Sequence, residues 1–182
     1  IEVTPIEDIF DDGAVLKKVI VRGRSTAKAE DNSEVFFNYR IIDVTTNKEL
    51  YCSGEMNPDE ELLAVLSNPE TVRTSNKCLR LFLDEYKISR MMKHVIRKMK
   101  KVERSEVLVH SLRYMTYGQD LEAISAFPEI MGRTEANLKY EIYVFYFVEG
   151  KNSFTMTMDE KMAHAERKKE IGVTQLKVKS KC

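Results

Sequence analysis

Hydrophobic and polar residues alternate along several short segments of the chain, and this pattern predicts β-strands. These segments are rich in β-branched and aromatic residues, which are typical of strands. The predicted strands are residues 14–22, 34–46, 49–53, 78–86, 105–114 and 138–147. Alternation places every second residue of the second strand on one face. That face consists of Val35, Phe37, Tyr39 and Ile41.

A different period, with apolar residues three or four positions apart, predicts a helix over residues 87–101. Its apolar stripe consists of Ile88, Met91, Met92, Val95, Ile96 and Met99. Asn57 as N-cap and Pro58 as first helical residue predict a second helix over 58–66. Residues 70–77 and 118–137 are predicted to be loops.

Strands on both sides of one amphipathic helix indicate an α+β fold. We expect a twisted antiparallel sheet of five or six strands wrapped around the helix 87–101. A last helix is predicted over 157–178, because Thr157 and Glu160 have the spacing of a capping box. This C-terminal helix is expected to project away from the sheet.

Composition excludes several classes of protein. Of the 182 residues, 43% are hydrophobic, which is enough to build a core, and 29 basic residues balance 29 acidic ones. A chain without net charge is unlike most nucleic-acid-binding proteins. No apolar run approaches the ~20 residues of a membrane span, and the acidic, mixed N-terminus is not typical of a signal peptide. The first residue is not methionine, and we expect the chain to be part of a longer protein.

No motif for metal, cofactor or nucleophilic chemistry occurs in the sequence. The three cysteines are an odd number at irregular spacing, which predicts reduced thiols and a cytoplasmic or nuclear location rather than a disulfide framework or a zinc site. His94, His110 and His164 lie far apart, and each is more simply a solvated or core imidazole. We therefore predict neither a metal site nor a cofactor.

The segment 87–104 is basic, with eight Lys or Arg residues and a single acid, Glu103. The simplest interpretation is a solvated helix face behind the apolar stripe. The alternative is a surface for an acidic partner or nucleic acid, formed by Lys93, Arg97, Lys100 and Lys101. No aromatic residue lies among these basic residues, which argues against base stacking.

Five segments of the sequence occur in the same order as in the FKBP family, the macrolide-binding prolyl isomerases, and the sequence resembles that family. The segments are DDGAVLKKVIVRG, SEVFFNYRI, MMKHVIRKMKKVERSEVLV, YMTYG and ANLKYEIYVFYF. The resemblance covers residues 12–148. It implies an FKBP-like domain over residues 1–150, with an inserted segment at about 53–77 that contains the helix 58–66. The insertion could cover the pocket mouth or form a partner surface.

The resemblance also implies a pocket that binds the substrate proline. The positions that correspond to it are Tyr39, Leu50, Tyr51, Leu79, Ile88, Met92, Tyr117 and Tyr140. Aromatic residues are retained at 39, 117 and 140, although buried tyrosines are also ordinary core residues. Leu50 and Tyr51 replace the family's Phe-Asp pair, and Met92 replaces the tryptophan at the pocket floor. The usual glycine after the helix is Val102.

These replacements predict a weakened isomerase. Isomerisation has a barrier of ~18–20 kcal/mol and needs an apolar pocket and hydrogen bonds to the twisted amide rather than an acid, a base or a metal. Without the pocket aspartate, the Tyr39 hydroxyl needs another partner. We therefore expect a degenerate prolyl isomerase domain that acts in protein interaction. The alternatives are an active prolyl isomerase and a module that binds an acidic partner or nucleic acid through 87–104.

Residues 154–182 resemble the helix that leads from the last FKBP domain into a tetratricopeptide (TPR) array in large immunophilins. The array is missing from this sequence. The resemblance implies a co-chaperone whose partners are protein clients and, through the TPR array, the major cytosolic heat-shock chaperone.

Overall fold

The computed structural model of the protein describes residues 4–148 and 156–180. Its strands are β1 (Ile6–Asp8), β2 (Val15–Val21), β3 (Glu34–Asp43), β4 (Lys48–Cys52), β5 (Leu79–Phe82), β6 (Glu103–Val109) and β7 (Leu138–Val148). Its helices are α1 (Glu60–Leu66), α2 (Pro69–Val72), α3 (Arg90–Arg97), α4 (Gln119–Ser125), α5 (Pro128–Met131) and α6 (Met158–Ser180). A 3-10 turn spans Leu112–Tyr114.

The seven strands form one sheet, and every pairing is antiparallel. Six of them follow the order β1-β2-β6-β7-β3-β4, and β5 lies outside this order. β5 pairs with the first half of β3, and β4 pairs with its second half. The α+β architecture and the antiparallel sheet predicted from the sequence are confirmed. The sheet has seven strands instead of five or six, because β1, a three-residue strand, has too few residues to show alternation.

The main core lies between one face of the sheet and α3. The predicted face of β3 (Val35, Phe37, Tyr39 and Ile41) is fully buried. The apolar stripe of the predicted helix is also buried, although α3 itself ends at Arg97 rather than at residue 101. The two faces belong to one hydrophobic cluster, so the pairing of sheet and helix is as the periodicity predicted.

A second, smaller cluster covers the opposite face of the sheet. It consists of Met56, Leu66, Val102, Tyr143 and Phe145. Leu66 belongs to α1, so the inserted segment packs on the back of the sheet and α1 does not lie over the predicted pocket. α1 lies where predicted, but its N-cap is Asp59, whose side chain accepts a hydrogen bond from the Leu62 amide at 2.8 Å, rather than Asn57.

Both predicted loops contain short helices. Pro69 opens α2 within the segment preceding β5, and Pro128 opens α5 as its first residue. Proline suits this position because its missing N–H has no partner in the first turn. The helix α4 has no side-chain N-cap, so its start carries no local signal in the sequence.

The C-terminal helix α6 begins as predicted. The Thr157 amide donates to Glu160 Oε2 at 2.9 Å, and the Glu160 amide donates to Thr157 Oγ1 at 3.2 Å. The helix does not simply project away, because Arg167 donates to Asp84 and lies over the Phe82 ring at 4.2 Å. Lys168 forms a second ion pair with Asp84 at 2.6 Å. Within the described residues, no helix is long and apolar enough to cross a bilayer.

Candidate functional site

The predicted pocket positions lie where β3, β4, β7 and the start of α3 meet. Tyr39 is the centre of an aromatic group: its ring centroid is 5.0 Å from Tyr51 and 6.3 Å from Tyr140. Ile88 and Met92 belong to the same buried cluster. Leu50 and Leu79 are half-buried and pack against it. Seven of the eight predicted positions thus belong to the main core cluster or pack against it, and the ring contacts bring Tyr39, Tyr51 and Tyr140 together.

Four of these residues leave no exposed surface for a ligand. Tyr39, Met92 and Tyr140 are fully buried, and Ile88 is 1% exposed. Met is flexible and fills irregular space in a core, so Met92 in place of a rigid tryptophan packs directly under the tyrosines. Four of the eight predicted pocket positions are therefore core residues in this structure.

Tyr117 lies at the edge of this site. It is half-buried, and its ring contacts Tyr86 edge-on with centroids 4.8 Å apart. Burial raises the pKa of the Tyr117 phenol above its ordinary value, so it stays protonated and can donate a hydrogen bond. Tyr117 and Tyr86, like the half-buried Tyr51, remain accessible to a partner.

Gly118 fixes the course of the chain after Tyr117. Its φ of 106° lies in a region that favours glycine. A Cβ atom there would lie 2.4 Å from the Ile88 carbonyl carbon. The Gln119 amide also donates to the Lys87 carbonyl at 2.8 Å. The start of α4 is thus held directly against the start of α3.

A buried carboxylate, Asp120, occupies the centre of this junction. It accepts hydrogen bonds from the Ser89 amide at 2.7 Å, from the Ser89 hydroxyl at 2.5 Å and from the Tyr140 hydroxyl at 3.0 Å. Burial raises the pKa of Asp120, although these hydrogen bonds favour its charged form. The sequence did not indicate Asp120, because Gln119–Glu122 has the polar character of an exposed helix start.

The Tyr39 hydroxyl is buried and makes no hydrogen bond of ordinary geometry. Burial, followed by the nearby Asp120 charge, raises the pKa of this phenol above its ordinary value, and the Tyr51 phenol lies close enough to raise that pKa further. The sequence predicted that the Tyr39 hydroxyl needs a new partner. The Asp120 carboxylate accepts from Tyr140 rather than from Tyr39, and the phenol that most affects Tyr39 is that of Tyr51.

The four cations predicted to form a partner surface have different surroundings in the structure. Lys93 and Arg97 face Asp31, at 3.6 and 3.2 Å. The Lys101 ammonium lies over the Tyr146 ring at 4.6 Å, whereas Lys100 lines a separate cleft near the N-terminal strands. The four cations therefore do not form one continuous face.

The described residues contain no group of three or more His, Cys, Asp or Glu side chains that could hold a metal ion. Of the described cysteines, Cys52 is exposed and Cys78 is half-buried, and both are free thiols. Burial raises the pKa of the Cys78 thiol to about 11, so it is protonated and unreactive at neutral pH.

No family model matches the chain. No curated protein matches it either. Solved structures do: the crystal structure of the three FKBP domains of wheat FKBP73 matches with a TM-score of 0.51 and 17% identity, over 79% of this chain and 48% of the wheat chain. A multi-domain immunophilin from Arabidopsis thaliana matches with a TM-score of 0.49 and 19% identity, over 94% of this chain and 57% of that one. This chain thus spans about half the length of the wheat protein.

The fold of this protein is FKBP-like. The wheat structure supports this assignment by its three-dimensional similarity, and the antiparallel sheet packed on α3 is the architecture that the sequence analysis predicted. At this level of identity the similarity concerns the fold, and function depends on the residues of the site.

Proposed function

We propose that this FKBP-like domain is a protein-interaction module with weak or absent prolyl isomerase activity. The observation that supports the proposal most directly is burial: Tyr39, Ile88, Met92 and Tyr140, four of the predicted pocket positions, are each at most 1% exposed. Catalysis of isomerisation requires that the proline be held next to groups that favour the twisted amide. These four side chains cannot contact a proline unless the site opens.

The hydrogen bonds of Asp120 strengthen this argument. Opening the site for a substrate would move α4 away from Ser89 and Tyr140 and would break the three hydrogen bonds that Asp120 accepts. A hydrogen bond to a charged group contributes about 1.5–3 kcal/mol. A substrate would have to supply that free energy before any catalysis took place.

The test is a prolyl isomerisation assay on a Leu-Pro-Phe peptide, with and without a macrolide inhibitor. We expect no acceleration at micromolar protein, and no effect of the macrolide. The matched variant is Asp120→Ala, which removes the bonds that hold α4 against α3. Macrolide-sensitive acceleration by the wild-type protein would contradict the proposal, since it would require an accessible pocket.

An active prolyl isomerase is the second candidate, and one observation favours it. The Tyr39 hydroxyl, at the centre of the site, makes no hydrogen bond of ordinary geometry, and such a donor could stabilise a twisted amide if α4 moved. If the assay shows activity, Tyr39→Phe separates the two explanations. Loss of at least about tenfold in kcat/KM would assign the hydroxyl to catalysis, since that factor corresponds to one hydrogen bond of ~1.4 kcal/mol.

We propose protein clients as the partners, rather than nucleic acid. Lys93 and Arg97 already face a carboxylate, and the chain has no net charge. Tyr86 and Tyr117 offer an aromatic contact of the kind that is enriched in protein interfaces. Crosslinking from position 86 to an unfolded client protein, compared with crosslinking from position 131 on α5, tests this surface. Equal capture at both positions, or salt-sensitive binding of duplex DNA, would contradict it.

The co-chaperone role rests on the resemblance of residues 154–182 to the helix that precedes a TPR array. We propose that the full-length protein binds the heat-shock chaperone through that array. The 182-residue chain should then show no affinity for the C-terminal peptide of the chaperone, because a single helix cannot form a TPR groove.

A further inference from the structure

A cleft of about 590 Å³ opens beside the N-terminal strands, and it shares no residue with the candidate site. Cationic side chains outnumber carboxylates in its lining by five to two. The lining residues that matter here are Glu7, Lys17, Arg22, Lys28, Lys98, Lys100 and Glu103. We refer to this cavity as the basic cleft. An excess of positive charge is notable in a chain whose net charge is zero.

The two carboxylates of the basic cleft are already paired. Glu103 accepts from Lys17 at 2.8 Å, and both side chains are only 4% exposed. Glu7 pairs with Lys98 at 3.1 Å nearer the surface. Among the described residues, no ion pair involves Lys28 or Lys100. The charges of Lys28 and Lys100 are therefore not neutralised by the two carboxylates of the cleft, which pair with Lys17 and Lys98.

The backbone brings these cations together from distant parts of the sequence. A Cβ atom on Gly23 would lie 2.4 Å from the Lys100 Cβ, so the chain after β2 approaches the turn after α3 very closely. The Arg24 amide donates to the Lys101 carbonyl at 2.8 Å, and the Lys101 amide donates to Ser25 Oγ at 3.0 Å. The cleft is thus a feature of the folded domain rather than of one basic segment.

We propose that the basic cleft binds a small phosphate-bearing anion. Lysine ammonium groups recognise phosphate as compact point charges, and a cleft lined by one sign of charge concentrates the field on a bound ion. The volume lies within the range of small-molecule sites. Pro5, Ile6 and Val19 add apolar surface to the lining, which suits the organic part of such a ligand.

The test uses the complete 182-residue chain and inorganic tripolyphosphate as the probe, with binding measured by isothermal titration calorimetry. The variant Lys28→Ala/Lys100→Ala removes two cations from the cleft. The control Lys18→Ala/Lys77→Ala removes the same charge at exposed positions outside it. We expect the cleft variant to bind about tenfold more weakly or worse, and the control to bind within about twofold of wild type, since charge-assisted contacts act at short range.

Two results would overturn the proposal. One is no binding of tripolyphosphate at millimolar concentration. The other is equal weakening in both double variants, which would show that binding depends on the overall charge of the protein rather than on the cleft. Circular dichroism verifies that the variants are folded. A phosphoserine peptide added as competitor identifies the source of the phosphate, because displacement indicates a phosphorylated protein and its absence indicates a free small molecule. The readout is independent of isomerase activity and of Tyr86 and Tyr117.

Discussion

Two buried tyrosines with similar surroundings differ by one hydrogen bond. Tyr39 and Tyr140 are both fully buried and their rings stack at 6.3 Å. Tyr140 donates to Asp120, whereas the Tyr39 hydroxyl makes no hydrogen bond of ordinary geometry. A buried polar group without a hydrogen bond destabilises the fold. The pair therefore allows a controlled measurement of what each hydroxyl contributes.

We predict opposite effects for the same substitution at these two positions. Tyr140→Phe should lower the free energy of unfolding by about 1–3 kcal/mol, because Asp120 loses a donor inside the core. Tyr39→Phe should leave it unchanged or raise it by about 1 kcal/mol, because it removes an unsatisfied group. Urea denaturation measures both. A clear loss of stability in Tyr39→Phe would show that its hydroxyl has a partner in solution.

Asp120 makes stability depend on pH. Its folded pKa is raised by burial above the ordinary value of 3.8, so the unfolded chain loses this proton at lower pH than the folded protein. Its contribution to stability is therefore largest below pH 3.8 and declines as the pH rises through the folded pKa. Asp120→Asn removes this titration.

The predicted measurement is the difference in unfolding free energy between wild type and Asp120→Asn from pH 3.8 upward. Wild type should lose stability relative to the variant as the pH rises across this range. Glu122→Gln, at an exposed position of the same helix, should show no such trend. A difference that is constant with pH would mean that the Asp120 pKa is not raised.

Val102 illustrates how packing can outweigh backbone preference. It has φ of 58°, a conformation that is unfavourable for a β-branched residue. The resemblance places a glycine there, and the positive φ explains why. The valine side chain is 5% exposed and belongs to the cluster with Tyr143 and Phe145. Burial of a valine contributes ~1.5–3 kcal/mol, which is comparable with the cost of the strained backbone.

Among the elements, the inserted segment is held to the sheet by a buried amide. Asn38 Nδ2 donates to the Glu55 carbonyl at 3.2 Å and to the Lys77 carbonyl at 2.9 Å, close to the two ends of the insertion. Its Oδ1 atom accepts from the Ser53 hydroxyl at 3.1 Å. Asn38 projects from the face of β3 opposite to Tyr39, which places the insertion on the back of the sheet.

We predict that Asn38→Ala lowers the free energy of unfolding by about 2–4 kcal/mol, because it leaves two backbone carbonyls and a hydroxyl without their partner. The insertion should also become susceptible to limited proteolysis between residues 53 and 77. The control is Asn76→Ala, at an exposed position of the same segment. Equal cleavage in both variants would indicate that the insertion is held by its apolar contacts alone.

For the whole molecule, an ion pair joins the segment between β6 and β7 to the end of β3. Arg133 donates to both carboxylate oxygens of Asp43, at 2.7 and 2.8 Å. Hydrogen bonds from Arg133 lower the pKa of Asp43 to about 2. The stability that this pair provides is complete above pH 3.8 and is lost as the pH falls from there to about 2.

Acid unfolding of the whole domain should therefore respond to this pair. We predict that Arg133→Gln unfolds at higher pH than wild type, when unfolding is followed by circular dichroism during acid titration. Lys87→Gln removes an exposed cation from its pair with Glu85 and should leave the acid midpoint unchanged. The same midpoint in Arg133→Gln and wild type would show that Asp43 gains no stability from Arg133.

Local periodicity and capping were sufficient to predict the sheet, the buried face of β3, the apolar stripe of α3 and the start of α6. Each depends on residues a few positions apart, so each is visible in the sequence. The prediction of a loop over residues 118–137 was wrong, because this segment contains the short helices α4 and α5. Their starts depend on contacts with α3 and on the position of a proline, and neither produces an apolar period.

The sequence by itself determined an antiparallel α+β domain built around one helix, because alternation and helical period specify which faces are buried. Only the tertiary structure decided that four of the pocket positions are buried, that Asp120 bonds to Tyr140 rather than Tyr39, and that α1 covers the back of the sheet. It also decided that Lys17, Lys28 and Lys100 share a cleft. These features depend on side chains that are distant in sequence, and such side chains come together and become buried only when the sheet has formed.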